Sequence, residues 1–179
     1  MISDSYIVPE CVVRPGSFGA LMALYETNYI KISLLIEDFD LSGDLSGDFQ
    51  GECLLSTTPE DCDLHLWVES RTRYTQILRL TYIFDEDGEA IADPDLVIRI
   101  YDDARMAEVA AWAEHHRHAM LGKMATRFAG EIDRRWSQNM MLSKWLDYLL
   151  EGGHSFADGA GSYQGANVSA RAIRSVDLA

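Results

Sequence analysis

Between Leu64 and Tyr101 the apolar residues fall on every second position, and this period limits the middle of the chain to extended structure. In DLHLWVES, Leu64, Leu66 and Val68 alternate with His65, Trp67 and Glu69; in TQILRLTYIFD, Leu78, Leu80, Tyr82 and Phe84 alternate with Ile77, Arg79, Thr81 and Ile83. Asp85-Glu86-Asp87-Gly88 is a turn signal, and Asp93-Pro94-Asp95 predicts a second break before a strand LVIRIY. Links this short favour an antiparallel meander. ARMAEVAAW, from Ala104, mixes helix-forming residues with alternation and is read as a further strand.

The flanks have a different period. From Ser17 to Phe39 the residues Phe18, Leu21, Met22, Tyr25, Tyr29, Ile32, Ile36 and Phe39 recur every three or four positions, the signature of one helix face, with Ser17 placed to cap the first turn. Between Glu131 and Leu150, Ile132, Trp136, Met140, Leu142, Trp145, Leu146 and Leu149 form a second apolar arc, and Gly152-Gly153 ends it. The expected fold is α+β in two layers: an antiparallel meander sheet over about 62–112, with N-terminal and C-terminal amphipathic helices packed on one face. The expected core is Leu21, Met22, Tyr25, Ile32, Leu66, Leu78, Leu80, Ile98, Ile100, Trp145, Leu146 and Leu149. Residues 1–16 read as an extension and 17–154 as one domain. Glycine, alanine and serine dominate after Ser155, so 155–179 reads as a mobile tail. For 113–130 only a helix-like spacing of Met120, Met124 and Phe128 stands out.

Charge narrows the function classes. The chain has 29 acids and 15 bases, a formal net charge of −14. Such a surface repels a phosphate backbone, so nucleic acid is not an expected partner, whereas a protein with a basic surface is. No apolar run of membrane-spanning length occurs, and the N-terminus lacks the basic and apolar regions of an export signal. Cys11, Cys53 and Cys62 fit neither a metal knuckle nor a disulfide framework, which points to a reducing cytoplasm.

Three motifs invite a chemical reading. The run DFDLSGDLSGDFQGE places Asp38, Asp40, Ser42 and Gly43 as a calcium loop would, but Phe49 stands where the closing glutamate belongs, so a solvated acidic loop is the better reading. His115, His116 and His118 with Glu114 supply metal-binding side chains, yet on a helix only the pairs His115–His118 and Glu114–His118 share a face. No metal and no cofactor is expected, and the signatures of common enzymes are missing.

The third is arginine. Arg71, Arg73, Arg79, Arg99 and Arg105 crowd one stretch that has no lysine. A guanidinium fork suits phosphate or carboxylate, so Arg71, Arg73, Arg99 and Arg105 are the candidate anion-binding residues, with Tyr74, Tyr101, Asp103 and Glu108 in support. In the alternative, these arginines pair with Glu69, Asp102, Asp103 and Glu108 across the sheet, and that structural role is the favoured one.

The stretches VESRTRYT at 68–75, VIRIYDDARMAEV at 97–109 and NMMLSKWLDYLLEGGH at 139–154 resemble the YqiB-like family of small bacterial proteins, a domain of unknown function. The resemblance spans about 17–154. It falls on Arg73, Tyr74 and Thr75; on Arg99, Tyr101, Asp103, Ala104, Glu108 and Val109; and on Asp133, Arg135, Asn139, Leu142, Trp145, Leu146 and Gly153. Asp102 stands where the family often has histidine, and 113–130 has no counterpart in its pattern. The resemblance implies no activity, substrate or cofactor. The expected function is a non-catalytic interaction or accessory protein; the alternative is an arginine-lined protein or enzyme acting on a nucleotide-like phosphate ester, with Arg73 and Arg99 as forks and Asp103 or Glu108 as base or metal ligand.

Overall fold

The structure, a computed structural model, describes residues 16–36, 53–86, 88–112 and 130–156. Helix α1 (Phe18–Leu35) comes first, then strands β1 (Cys53–Ser56), β2 (Leu64–Arg71), β3 (Thr75–Glu86), β4 (Glu89–Tyr101) and β5 (Met106–Trp112), and last helix α2 (Glu131–Glu151). The sheet has five antiparallel strands in the order β1-β2-β3-β4-β5, the meander that the short links favoured.

Register explains why the alternation was so regular. Leu66 pairs with Leu80 and Leu80 with Leu96; Val68 pairs with Leu78, Leu78 with Ile98, and Ile98 with Val109. Directly paired residues share a face, so these side chains form one apolar surface. Ile32 and Leu35 from the first helix, Ile36 at its C-cap, and Leu142, Leu146 and Leu149 from the second helix join them in a single core cluster. Of the expected core, Met22 and Trp145 are only partly buried. Phe84, past the β3 irregularity, is 40% exposed, so the apolar face ends before it.

The Asp93-Pro94-Asp95 break did not materialise. Strand β4 runs through it, with a cis bond between Asp93 and Pro94. The register with β3 shifts between Thr81 and Ile83, so a bulge takes up the irregularity where a turn was expected. Proline lacks an N–H to give to a ladder, and an interrupted ladder tolerates it.

The helix ends are held by local chemistry. Ser17 Oγ accepts from Ala20 N at 3.2 Å, as its position predicted. At the end of α2, Gly153 takes φ +78°, Gly153 N–H donates to Leu150 O and His154 N–H to Leu149 O at 3.0 Å, which is a Schellman closure. The reversal aims the chain back at α1. Phe156 N–H donates to Leu35 O at 2.8 Å, and the Phe156 side chain is 3% exposed within the core. Ser155 and Phe156, expected in a loose tail, are therefore part of the packed body.

Two buried asparagines fix the helices laterally. Asn28 Nδ2 donates to Asn139 O at 3.3 Å, and Asn139 Oδ1 accepts Val109 N–H at 3.0 Å, tying both helices to the outer edge of β5. One turn further, Lys31 Nζ reaches Ser143 Oγ at 2.8 Å and Asp147 at 2.7 Å. The two helices thus run parallel, side by side.

Candidate functional site

The β4–β5 hairpin faces Arg99 and Glu108 across the ladder as direct partners. Tyr101 OH donates to Glu108 Oε1 at 2.8 Å, and Arg135 Nη1, from α2, donates to Oε2 at 3.0 Å. Arg99 Nη1 stands 3.8 Å from Oε1, an ion pair too long for a hydrogen bond. Glu108 is only 6% exposed. From α1, the buried Tyr25 hydroxyl lies near Arg135 and Glu108 without a hydrogen bond of good geometry, and burial pushes its pKa up, with Arg135 opposing and Glu108 adding to the effect. Arg135 also bonds Glu131 at 2.7 Å, and that contact, followed by Tyr25, raises its pKa and keeps the guanidinium charged. Five of the positions that carry the resemblance, Arg99, Tyr101, Glu108, Arg135 and Asn139, meet at this junction of sheet edge and helices.

Arg79 forms a second charged centre. Its Nε bonds Glu69 and its Nη1 bonds Asp95 at 2.8 Å, with arginine and aspartate both buried. Glu69, one of the acids expected to pair with the arginine group, pairs with Arg79 of that group. Asp102 takes two hydrogen bonds from Gln76 Nε2, at 2.9 and 3.1 Å, and Asp103 Oδ1 accepts Ala104 N–H at 2.9 Å. The remaining candidates sit at one end of the sheet. Arg73 lies with its guanidinium carbon 5.0 Å from the Tyr74 ring centroid in the exposed β2–β3 turn, Arg71 ends β2, and Arg105 is exposed in the β4–β5 turn at φ +52°. None of the three makes an ion pair with another described residue.

A third constellation was missed in the sequence. His154 Nδ1 lies 3.2 Å from Ser56 Oγ and its Nε2 lies 3.3 Å from Asp61 Oδ2, which also accepts Tyr82 OH at 2.9 Å. A serine hydroxyl, an imidazole and a carboxylate in series have the order of a nucleophile with its base and orienting acid. Access decides against that use. Ser56 is 5% exposed, the His154 side chain is fully buried, and Ser56 Oγ also accepts Ser155 N–H at 3.1 Å. The relay pins the chain after α2 to β1 and to the β1–β2 loop. Burial, the largest influence on Asp61, raises its pKa, but hydrogen bonds from Cys62 N–H, Tyr82, His154 and Tyr148 outweigh it and leave the carboxyl below its usual value. Burial, then Asp61, pushes Tyr82 up. The three members lie up to 98 positions apart, so no local spacing could have announced them.

Cys53 Sγ lies 3.9 Å from His65 Nδ1, but burial raises the thiol to about 11 and lowers the imidazole, which opposes a thiolate–imidazolium pair. Among the described residues no group of three or more histidines, cysteines and acids is placed to hold a metal ion. The acidic loop at 38–52 and the cluster of Glu114, His115, His116 and His118 lie outside the described residues.

Comparison with known proteins gives one finding and two blanks. A family model whose description is a protein of unknown function covers residues 45–155, which spans β1 through α2. No curated protein matches, and no solved structure matches.

Proposed function

The chain belongs to the family of proteins of unknown function called DUF1249, so its role has to be argued from its own side chains, and we propose a non-catalytic interaction domain whose acidic surface meets a basic protein partner. One observation carries this reading: the groups best suited to chemistry are engaged with one another. Glu108 is held by Tyr101 and Arg135, Arg79 by Glu69 and Asp95, and Asp61 by His154 and Tyr82. Glu108, Arg79, Asp95 and His154 are also buried, which leaves them closed to a substrate. The net charge of −14 favours fast encounter with a positive surface and predicts that salt weakens the complex. No described helix is long and apolar enough to cross a membrane.

The test is capture of partners on the immobilised protein, followed by titration of any specific partner over a range of ionic strength. The expected result is a partner with a basic surface whose affinity falls steadily with salt. Absence of a specific partner, or an affinity indifferent to salt, overturns the proposal.

The three stretches that resemble the YqiB-like family lie wholly within the matched span, which favours that relationship. Free Cys53 and Cys62 suit a reducing cytoplasm. The shared core cluster favours both helices on the leucine-lined face of the sheet. A second functional reading, an arginine-lined anion site, draws support from Arg71, Arg73 and Arg105 standing at one end of the sheet without ion-pair partners among the described residues.

A further inference from the structure

We infer that the β2–β3 and β4–β5 turns together form a binding site for a phosphoryl group, gripped by Arg73 and Arg105 with Arg71 beside them; this rests on the second functional reading above. Register places both turns at the same end of the sheet, because Arg71 pairs with Gln76, Thr75 with Tyr101, and Tyr101 with Met106. A backbone bond then joins them, Asp102 N–H donating to Tyr74 O at 2.9 Å. The β2–β3 turn is closed on itself as well, with Thr72 N–H to Thr75 O at 2.8 Å and Thr75 N–H to Thr72 Oγ1 at 3.1 Å. The arginines therefore project from a linked base.

Arg73 rests over the Tyr74 ring, which steadies the guanidinium plane while leaving its N–H edge available to oxygen ligands. Arg105 occupies the left-handed region at φ +52°, an uncommon setting for a side chain of this kind, in a turn whose two acids are already engaged. Asp102 is occupied by Gln76, and Asp103 by Ala104 N–H. Arg71 at the end of β2 and Arg73 and Arg105 in the turns outnumber Asp102 and Asp103, a local positive departure on a chain of net charge −14. That overall charge repels a long polyanion, so the ligand class is small: a phosphate ester or a free diphosphate. Arg99, which pairs with Glu108, and Arg79, which pairs with two acids, are not part of the grip.

The experiment is calorimetric titration of the full chain at low ionic strength with pyrophosphate and, separately, with AMP, beside the variants R73A, R73K, R105N, R99A and R134A. Asparagine at 105 keeps a residue tolerant of positive φ, and unliganded melting temperatures check that each variant folds. The expected result is binding of at least one probe by the parent, weakened tenfold or more by R73A and by R105N, less by R73K, and little by R99A or R134A. Tighter binding of AMP supports an ester as occupant, and tighter binding of pyrophosphate supports the free anion. Loss of binding in R99A with R73A unaffected overturns this site while leaving an anion site elsewhere. Equal weakening by R134A overturns it as a general charge effect. If the parent binds neither probe, the inference and the anion reading both fall.

Discussion

Glu108 shows how a single residue sets the character of the hairpin. Its carboxylate receives one hydroxyl and one guanidinium, with a second guanidinium at longer range, from the neighbouring strand β4 and the helix α2. Removing one member of a buried pair costs about 3–5 kcal/mol, but the Arg135 and Arg99 side chains, 45% and 37% exposed, can turn toward water. Glu108→Ala is therefore expected to cost about 1–3 kcal/mol in denaturant unfolding, the usual penalty for orphaned hydrogen-bonding groups, and Glu108→Gln less, because it retains an acceptor for Tyr101. A change within about 0.5 kcal/mol would show the carboxylate to be idle. Asp61 has a pH signature. Its folded pKa is depressed, so its contribution is fully present above the ordinary carboxylate value of about 4 and is lost as pH falls through the lower folded value. The stability difference between the parent and Asp61→Asn should be constant near neutrality and shrink in acid. A difference that grows below pH of about 4 would reverse the assigned sign.

The elements were legible in the sequence because each strand and helix buries one face, and burial of one face leaves its period in the residues. Ser17 as cap, the Gly152-Gly153 stop and the strand within ARMAEVAAW could all be read. What could not be read was the polar matter inside the stripes. Asn28 and Asn139 are both fully buried, yet as letters they resemble surface residues; Arg135 looks like the solvent side of α2 until β5 brings Glu108 beside it. The arginine crowding at 71–105 was visible, but its division into paired and unpaired members depends on register. Asn139 supplies the element-scale test, since it touches α1, its own helix and β5. Asn139→Leu leaves Val109 N–H without its acceptor, which predicts a loss of about 1–3 kcal/mol and faster hydrogen exchange at the Val109 amide. Leu146→Ala, at 0% exposure, should cost about 2–5 kcal/mol without that local exchange signature. An unchanged Val109 amide in Asn139→Leu would remove the proposed lateral tie.

At the scale of the molecule, the fold is closed by the three residues that follow Gly152-Gly153 at the end of α2. The Schellman reversal turns His154, Ser155 and Phe156 toward β1 and the end of α1, far from their neighbours in sequence. There they supply an imidazole between Ser56 and Asp61, an N–H for Ser56 Oγ, an N–H for Leu35 O, and a buried ring for the core. Composition alone assigned Ser155 and Phe156 to a tail, because an isolated phenylalanine among small residues carries no period. A comparison of two shortened chains isolates their role: one ends at Phe156, the other at Gly153. The shorter one loses the ring, which alone corresponds to about 3–5 kcal/mol in typical cores, and also strands the Leu35 carbonyl and takes one of its partners from the Asp61 carboxylate. For a domain of this size that predicts a melting temperature lower by on the order of 10 °C. Since α1 and β1 are what the three residues join, the loss should extend to hydrogen exchange in both, and not only to fraying of α2. Equal melting temperatures for the two chains would mean that the fold closes without this segment, and that the His154 relay is an ornament of packing.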